Sequence, residues 1–321
     1  MPWSPDFGAG DKKAKPEAKA AGRGGERAAP LVAGAAVLSA ACFGLGTVMS
    51  EAVLARVQPL TLLPLQLVAS VAFLLAVVLW RGVRLPRRRK DLKPALAGLL
   101  EPGLAYTAGV VGLALTTASN ATLVGSTETV VTIFLAWLLL RERVGGRMVA
   151  LALVAVAGVL LVTIPDAGSA GGGGSLPGDL LVFVGVVFAA LYAVATRRHA
   201  AGVEPPLLAA MQHSVGLLWS LVVLAVALIV GAGGTGLAGV GSGALAMALA
   251  SGVVQYALPF WLYLFALRGM TVSVLSFYLS LIPLFGVAGA HLFLGERLAP
   301  SQLLGGLLIV AAVAATSRLR R

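Results

Sequence analysis

Ten apolar stretches run through this chain from Leu31 to Thr316, and its positive charges crowd into alternate gaps between them. A helical crossing of a bilayer core needs about 20 apolar residues. In hydrocarbon every backbone N–H and C=O must be satisfied within the protein, so stretches of this length read as membrane helices. Their bounds are 31–50, 60–80, 95–116, 119–140, 147–165, 179–196, 207–231, 244–267, 272–294 and 299–316. Only 12% of the residues are charged and 59% are apolar, whereas a soluble domain carries about 25% charged residues. The expected fold is an all-α integral membrane bundle of ten transmembrane helices.

A net charge of +11 would suit a nucleic-acid ligand, but the charges sit where topology puts them. With the N-terminus inside, every Lys and Arg other than Arg56 and Arg297 falls in a cytoplasmic segment. Short-loop Lys/Arg bias sets orientation, and anionic inner-leaflet lipid reinforces it. The chain therefore reads as a multi-pass protein of the cytoplasmic (inner) membrane with both termini cytoplasmic. Its expected partners are the lipid bilayer and a small-molecule substrate, with no nucleic acid. Residues 1–30, polar and rich in Ala, Gly, Pro and Lys, read as a disordered cytoplasmic tail, and 317–321 as a basic tail. Cys42 is the only cysteine, which excludes an intrachain disulfide and a Cys-rich metal site. No cofactor or metal is expected.

Residues 166–178 include the run Gly171–Gly174, but no Lys-Ser/Thr follows to make a phosphate loop. They read as an external flexible linker between five spans at 31–165 and five at 179–316. The halves resemble each other: Leu138-x-Leu140-x-Glu142-Arg143 closes the fourth span, and Leu292-x-Leu294-x-Glu296-Arg297 closes the ninth, 154 residues later. Because five is odd, the second half enters the membrane from the opposite side. Two inverted five-helix repeats are the architecture of alternating-access transporters, with the substrate site near the midplane.

Leu294-Gly295-Glu296-Arg297, its partner Leu140-Arg141-Glu142-Arg143, Phe43-Gly44-Leu45-Gly46 and Gly178-Asp179-Leu180-Leu181 resemble the EamA-type transporters of the drug/metabolite transporter superfamily. The resemblance covers about 31–316. It implies ten helices as five plus five, and secondary transport of small metabolites, often amino acids or related compounds, through a central cavity. The chain departs from the pattern at Leu65-Gln66-Leu67, where many members carry an Arg in the second helix. An anionic group held by that Arg elsewhere is held otherwise here.

A charged side chain at a helix centre costs roughly 2.5–3.5 kcal/mol on insertion scales, so it tends to face a cavity and mark a pathway. Glu128 and Glu101 are the acidic residues well within these spans. Glu128, with Thr132 one turn along, is expected to bind a cationic or amino group or to take up a proton that drives exchange. Pinning two helices together is the plainer alternative. Glu101 precedes Pro102, which has no N–H and frees the carbonyl of Gly98. A broken helix beside a carboxylate is expected there, with an interfacial structural role as the alternative. Its mate at the 154-residue offset is Gln255. Gln212 and His213 form a polar pair in the seventh span, and a histidine can relay protons near neutral pH or pack as a hydrogen-bonding group. Tyr256, Trp261 and Tyr278 gather with Phe260, Tyr263 and Phe277 in the eighth and ninth spans, as cavity wall or as packing. Trp80 and Trp219 read as interfacial anchors, and Asn120 as the N-cap of the fourth helix.

No His-Glu-x-x-His, no Gly-x-Ser-x-Gly and no Walker lysine is present, since the lysines are confined to 12–19 and 90–93. Metallohydrolase, serine hydrolase and nucleotide-driven pump are thereby excluded. The reading is a non-enzymatic exporter of amino acids or related amphipathic compounds, its two halves rocking around a midplane cavity. The alternatives are an importer of a sugar- or nucleoside-type metabolite, and a lipid-linked flippase or membrane scaffold. Proton coupling and a homodimer stay open.

Overall fold

The computed structural model describes residues 14–54, 56–85, 89–116, 121, 124–163, 175–199, 202–231, 235–237, 240–294 and 300–318. All regular structure among them is helical. Helix α1 is Ala14–Leu54 and α2 is Pro59–Trp80; a 3-10 turn, Arg89–Leu96, leads to a π-helical segment, Leu99–Leu104, that continues as α3, Ala105–Leu115. Then come α4 (Glu128–Leu140), α5 (Gly146–Thr163), α6 (Leu176–His199) and α7 (Pro205–Ile229). Helix α8 (Ser242–Gly252) passes through a second π-helical segment, Val253–Ala257, into α9 (Leu258–Gly269), followed by α10 (Val272–Leu279), α11 (Ile282–Leu294) and α12 (Pro300–Arg318).

Seven stretches are long and apolar enough to cross a membrane, and Glu128–Leu140, Gly146–Val162 and Pro300–Thr316 are shorter apolar helices. Pro59 and Pro205 stand in the first turns of α2 and α7, where a missing N–H leaves nothing unsatisfied. The Thr271 hydroxyl caps α10 by accepting from Val274 N. Two expectations change. Helix α1 begins at Ala14, inside the stretch read as a tail, although Pro16, Gly22, Gly24, Gly25 and Pro30 are poor helix formers. The linker begins among residues outside those described, and its last residues, from Leu176, belong to α6.

The most extensive packing joins one half of the chain to the other: α5 with α12, α3 with α6, α2 with α7 and α1 with α9. The halves are therefore not the separate bodies that a rocking of one against the other would need. Lipid is as apolar as a leucine core, so membrane helices pair where small residues let backbones meet. A Cβ on Gly158 of α5 would lie 2.8 Å from the Gly305 carbonyl oxygen of α12, and one on Gly185 of α6 would lie 2.9 Å from the Ala105 carbonyl of α3. Two mixed groups result. Helices α3 and α4 gather on α6, while α8, α9 and α11 gather on α1.

The sequence offset of 154 residues reappears in the helix breaks. The π segment starting at Leu99 maps onto the one starting at Val253, and the turn at Ser126–Thr127 before α4 maps onto Ser280–Leu281 between α10 and α11. A glycine precedes each π segment. A Cβ on Gly98 would come within 1.9 Å of the Gln212 carbonyl oxygen, and one on Gly252 within 2.3 Å of that of Gln66. Gln66 and Gln212 are themselves mates in a second register of 146 residues, which also pairs Pro59 with Pro205 and Ser50 with Thr196. Both are held alike. Gln66 Nε2 donates to Ser50 Oγ (2.7 Å) and Ser251 Oγ (2.9 Å), and Gln212 Nε2 donates to Thr196 Oγ1 (3.2 Å) and the Pro94 carbonyl (3.3 Å).

Candidate functional site

Between the two mixed groups lies a cavity of about 420 Å³. Much of its wall is made of repeat mates: Glu101 with Gln255, Tyr106 with Phe260, Ser126 with Ser280, Glu128 with Ile282 and Thr129 with Pro283. The 146-residue register adds Phe43 with Ala189 and Thr47 with Ala193. The helix breaks explain why these positions face inward. Glu101 has extended backbone (φ −146°, ψ 128°) inside its π segment. Irregular backbone at membrane depth is tolerated only where it is buried in protein or lines a cavity, and π turns recur at functional sites.

Glu101 and Glu128 share this cavity, close enough for their charges to interact. Neither has a hydrogen-bond or ion-pair partner among the described residues, and no Lys, Arg or His is among the described residues of the wall. Gln255 Oε1 accepts from Ser50 Oγ and from Gln66 Nε2 (3.4 Å), which leaves its NH₂ as the end free to meet a ligand. Thr129 Oγ1 and Ser280 Oγ are hydrogen-bonded to each other across the site at 2.9 Å. Rings complete it: Phe43 meets Phe260 edge-on at 5.3 Å, Tyr192 meets Phe260 at 5.8 Å, and Tyr192 stacks on Tyr263 at 6.1 Å.

Thr47 and Glu128 are the exposed members of the wall, whereas Tyr192, Tyr263, Val272 and Leu275 are buried. The cavity therefore opens at the end away from Arg141 and Arg268 and is closed toward them. At the closed end the Glu142 carboxylate caps α10, accepting from Val272 N (2.9 Å), Ser273 N (3.0 Å) and Ser273 Oγ (2.5 Å). Arg197 Nη1, on α6, donates to the Leu267 carbonyl of α9. The second link runs from one mixed group to the other, and the first ties the end of α4 to α10, which packs on both α4 and α1.

Of the residues singled out in the sequence, the cavity brings together Glu128, Glu101, Gln255, Thr132, Phe260 and Tyr263. The others stand behind or away from the wall. Gln212 has its Oε1 taken by the Tyr192 hydroxyl at 2.9 Å as well as its Nε2 donated. His213 pairs Nδ1 with Ser70 Oγ at 2.7 Å, presents its ring edge-on to Phe260 at 4.6 Å, and has no partner for Nε2 among the described residues. Tyr256 packs on Tyr106 at 5.4 Å, Trp261 lies beneath Arg81 at 6.0 Å, and Tyr278 is buried outside the wall. Trp219, expected at the lipid interface, is half-buried and donates its indole N–H to Thr107 Oγ1 at 3.1 Å. Asn120 and Glu296 lie outside the described residues. Tyr106, Tyr192 and Ser126 were not singled out, although carrying the 154-residue offset back from Phe260 and Ser280 leads to Tyr106 and Ser126.

Residues 31–164 and 176–318 each match the sequence profile of the EamA-like transporter family. A solved structure, reported as "Crystal structure of protein", superposes with a TM-score of 0.72 over 91% of this chain and 97% of its own at 22% identity, which shows a shared fold. No curated protein matches the chain at a significant level of sequence similarity.

Proposed function

Since the chain belongs to the EamA-like transporter family, we propose that it exports a small amphipathic metabolite, an amino acid or related compound, across the cytoplasmic membrane. The observation that carries this reading is a cavity walled by equivalent positions of two repeats. With ten crossings and the Arg-rich loops cytoplasmic, the repeats are inverted, and mates sit at opposite depths. Exchanging the conformations of the two mixed groups then turns a cavity open to the outside into one open to the cytoplasm. The moving bodies in this reading are the mixed groups rather than the sequence halves. Opening inward breaks the hold of Glu142 on α10 and of Arg197 on Leu267.

Glu128, at the mouth, meets the substrate first; Glu101, Gln255 and Thr132 hold it further in. Gln212 and His213 brace the wall from behind. If Glu128 gains and loses a proton during the cycle, export is proton antiport, and a pH jump that drives no counterflow removes that version. The test of function is metabolite partition between cells and medium, with wild type and Glu128→Gln at matched membrane levels. One solute class leaving cells with wild type alone supports the reading. Equal movement by both forms takes Glu128 out of the site, and no shift with either takes away export.

A further inference from the structure

The cavity's chemistry narrows the cargo, on the premise that the cavity is the transport site. Two carboxyl groups share it without a partner among the described residues, and the described wall offers no cationic side chain. A carboxylate on the ligand would meet two like groups, Glu128 at the mouth and Glu101 further in, where less water screens the repulsion. The hydroxyls do not relieve this. Thr47 donates to the Phe43 carbonyl at 3.0 Å, Ser276 to the Ser273 carbonyl at 2.9 Å, and Ser280 to the Ser276 carbonyl at 3.3 Å, which leaves the Thr129 hydroxyl to donate to Ser280 Oγ at 2.9 Å. The donors left to the wall, the Gln255 NH₂ and the Thr132, Tyr106 and Tyr263 hydroxyls, are neutral, so nothing described there balances the charge of a ligand carboxylate. The aromatic members, Phe43, Tyr106, Tyr192, Phe260 and Tyr263, offer ring faces, and ring faces attract cations most strongly where water is excluded.

We propose that the cavity takes an organic cation, an amine or quaternary ammonium on an aromatic or apolar body, and rejects the amino acid of the same body. The ammonium lies between Glu128 and Glu101, and the body packs against the rings toward the closed end. Among the compounds related to amino acids, the cargo is thus the class that lacks the carboxylate.

The test compares phenethylamine, phenylalanine (the same ring and amine plus a carboxylate) and phenyltrimethylammonium (a permanent charge). Binding to the purified full chain is read by calorimetry and flux in liposomes. Both cations should bind saturably, and phenylalanine at least about tenfold more weakly. Glu128→Gln should weaken the cations by a similar factor. Glu101→Gln serves as the second variant, and the wild-type comparison of ligands needs no variant. Phenylalanine binding as tightly as phenethylamine, or cation binding that survives both substitutions, overturns the assignment. Saturable phenylalanine flux without cation flux overturns it while leaving a transporter. Cation binding without flux of any solute keeps the assignment and overturns the transport reading instead.

Discussion

Where the first repeat places Glu101 and Glu128 on the cavity, the second places Gln255 and Ile282; where the second places Tyr192, Tyr263 and Leu275, the first has Gly46, Gly109 and Ala121. The charge comes from the first copy alone and the bulk at the closed end from the second, while Phe43, whose mate is Ala189, gives the first copy a large ring of its own. The bulk lies at the closed end, where Tyr192 stacks on Tyr263, and the small mates belong to the end with the open mouth. A seal made of side chains and a seal made by backbone approach at glycines have different energies. Duplication provided two equivalent ends, and substitution has made them unequal.

The comparison can be broken most severely at the glycines before the π segments. Gly98→Leu and Gly252→Leu each drive a side chain into a glutamine backbone and should cost on the order of 3 kcal/mol or more. Size-exclusion profiles should show both failing to give monodisperse protein, and survival of either would end the equivalence of the two spans. The charge asymmetry comes next. Glu128→Gln should cut transport about tenfold or more, while Ile282→Ala at its mate changes flux less than about twofold, as read from initial rates.

The latch is the third target. Glu142→Gln weakens a cap worth about 1 kcal/mol, which raises opening at the Arg-rich end about fivefold. Faster thiol labelling of Ser276→Cys from that side, in a Cys42→Ser background, measures it; unchanged labelling would mean that Glu142 does not hold the closed end. The smallest effect belongs to the buried glutamine clamps. Ser50→Ala and Thr196→Val should each lower stability by about 0.6 kcal/mol, the average for hydrogen bonds between membrane helices, and matching melting shifts would confirm them as mates.

Hydropathy made the all-helical, membrane-spanning character legible, with seven helices long enough to cross and three shorter apolar ones, and the Glu-Arg pair at 142 and 296 made the two repeats legible. The offset then located Gln255 opposite Glu101 before any geometry was in hand. Which faces point inward was much harder to read. Lipid-facing and core-facing surfaces are equally apolar, so a membrane helix shows little of the periodicity that betrays a buried face in water. Tyr278 and Trp261 could not be told from Tyr106 and Tyr192 on that basis. The Gln66–Gln212 pairing stayed hidden for another reason: the connections before the third and eighth spans differ in length, so the first two spans of each half follow their own register. A lone Gln in each apolar helix was the available signal, once two registers rather than one are allowed.

The interleaved packing also bears on how the protein is made. A ribosome delivers α1 through α5 to the bilayer before α6, α7, α9 and α12, their main packing partners, have been synthesised. During that interval Glu101 and Glu128 lie in membrane helices whose partners do not yet exist. Insertion must therefore keep an unfinished set of helices apart from one another and from other chains until the second half arrives. A chain cut within 166–174 should assemble only when both fragments are supplied together, and a nonsense mutation in the second half should leave a product that quality-control proteases can recognise.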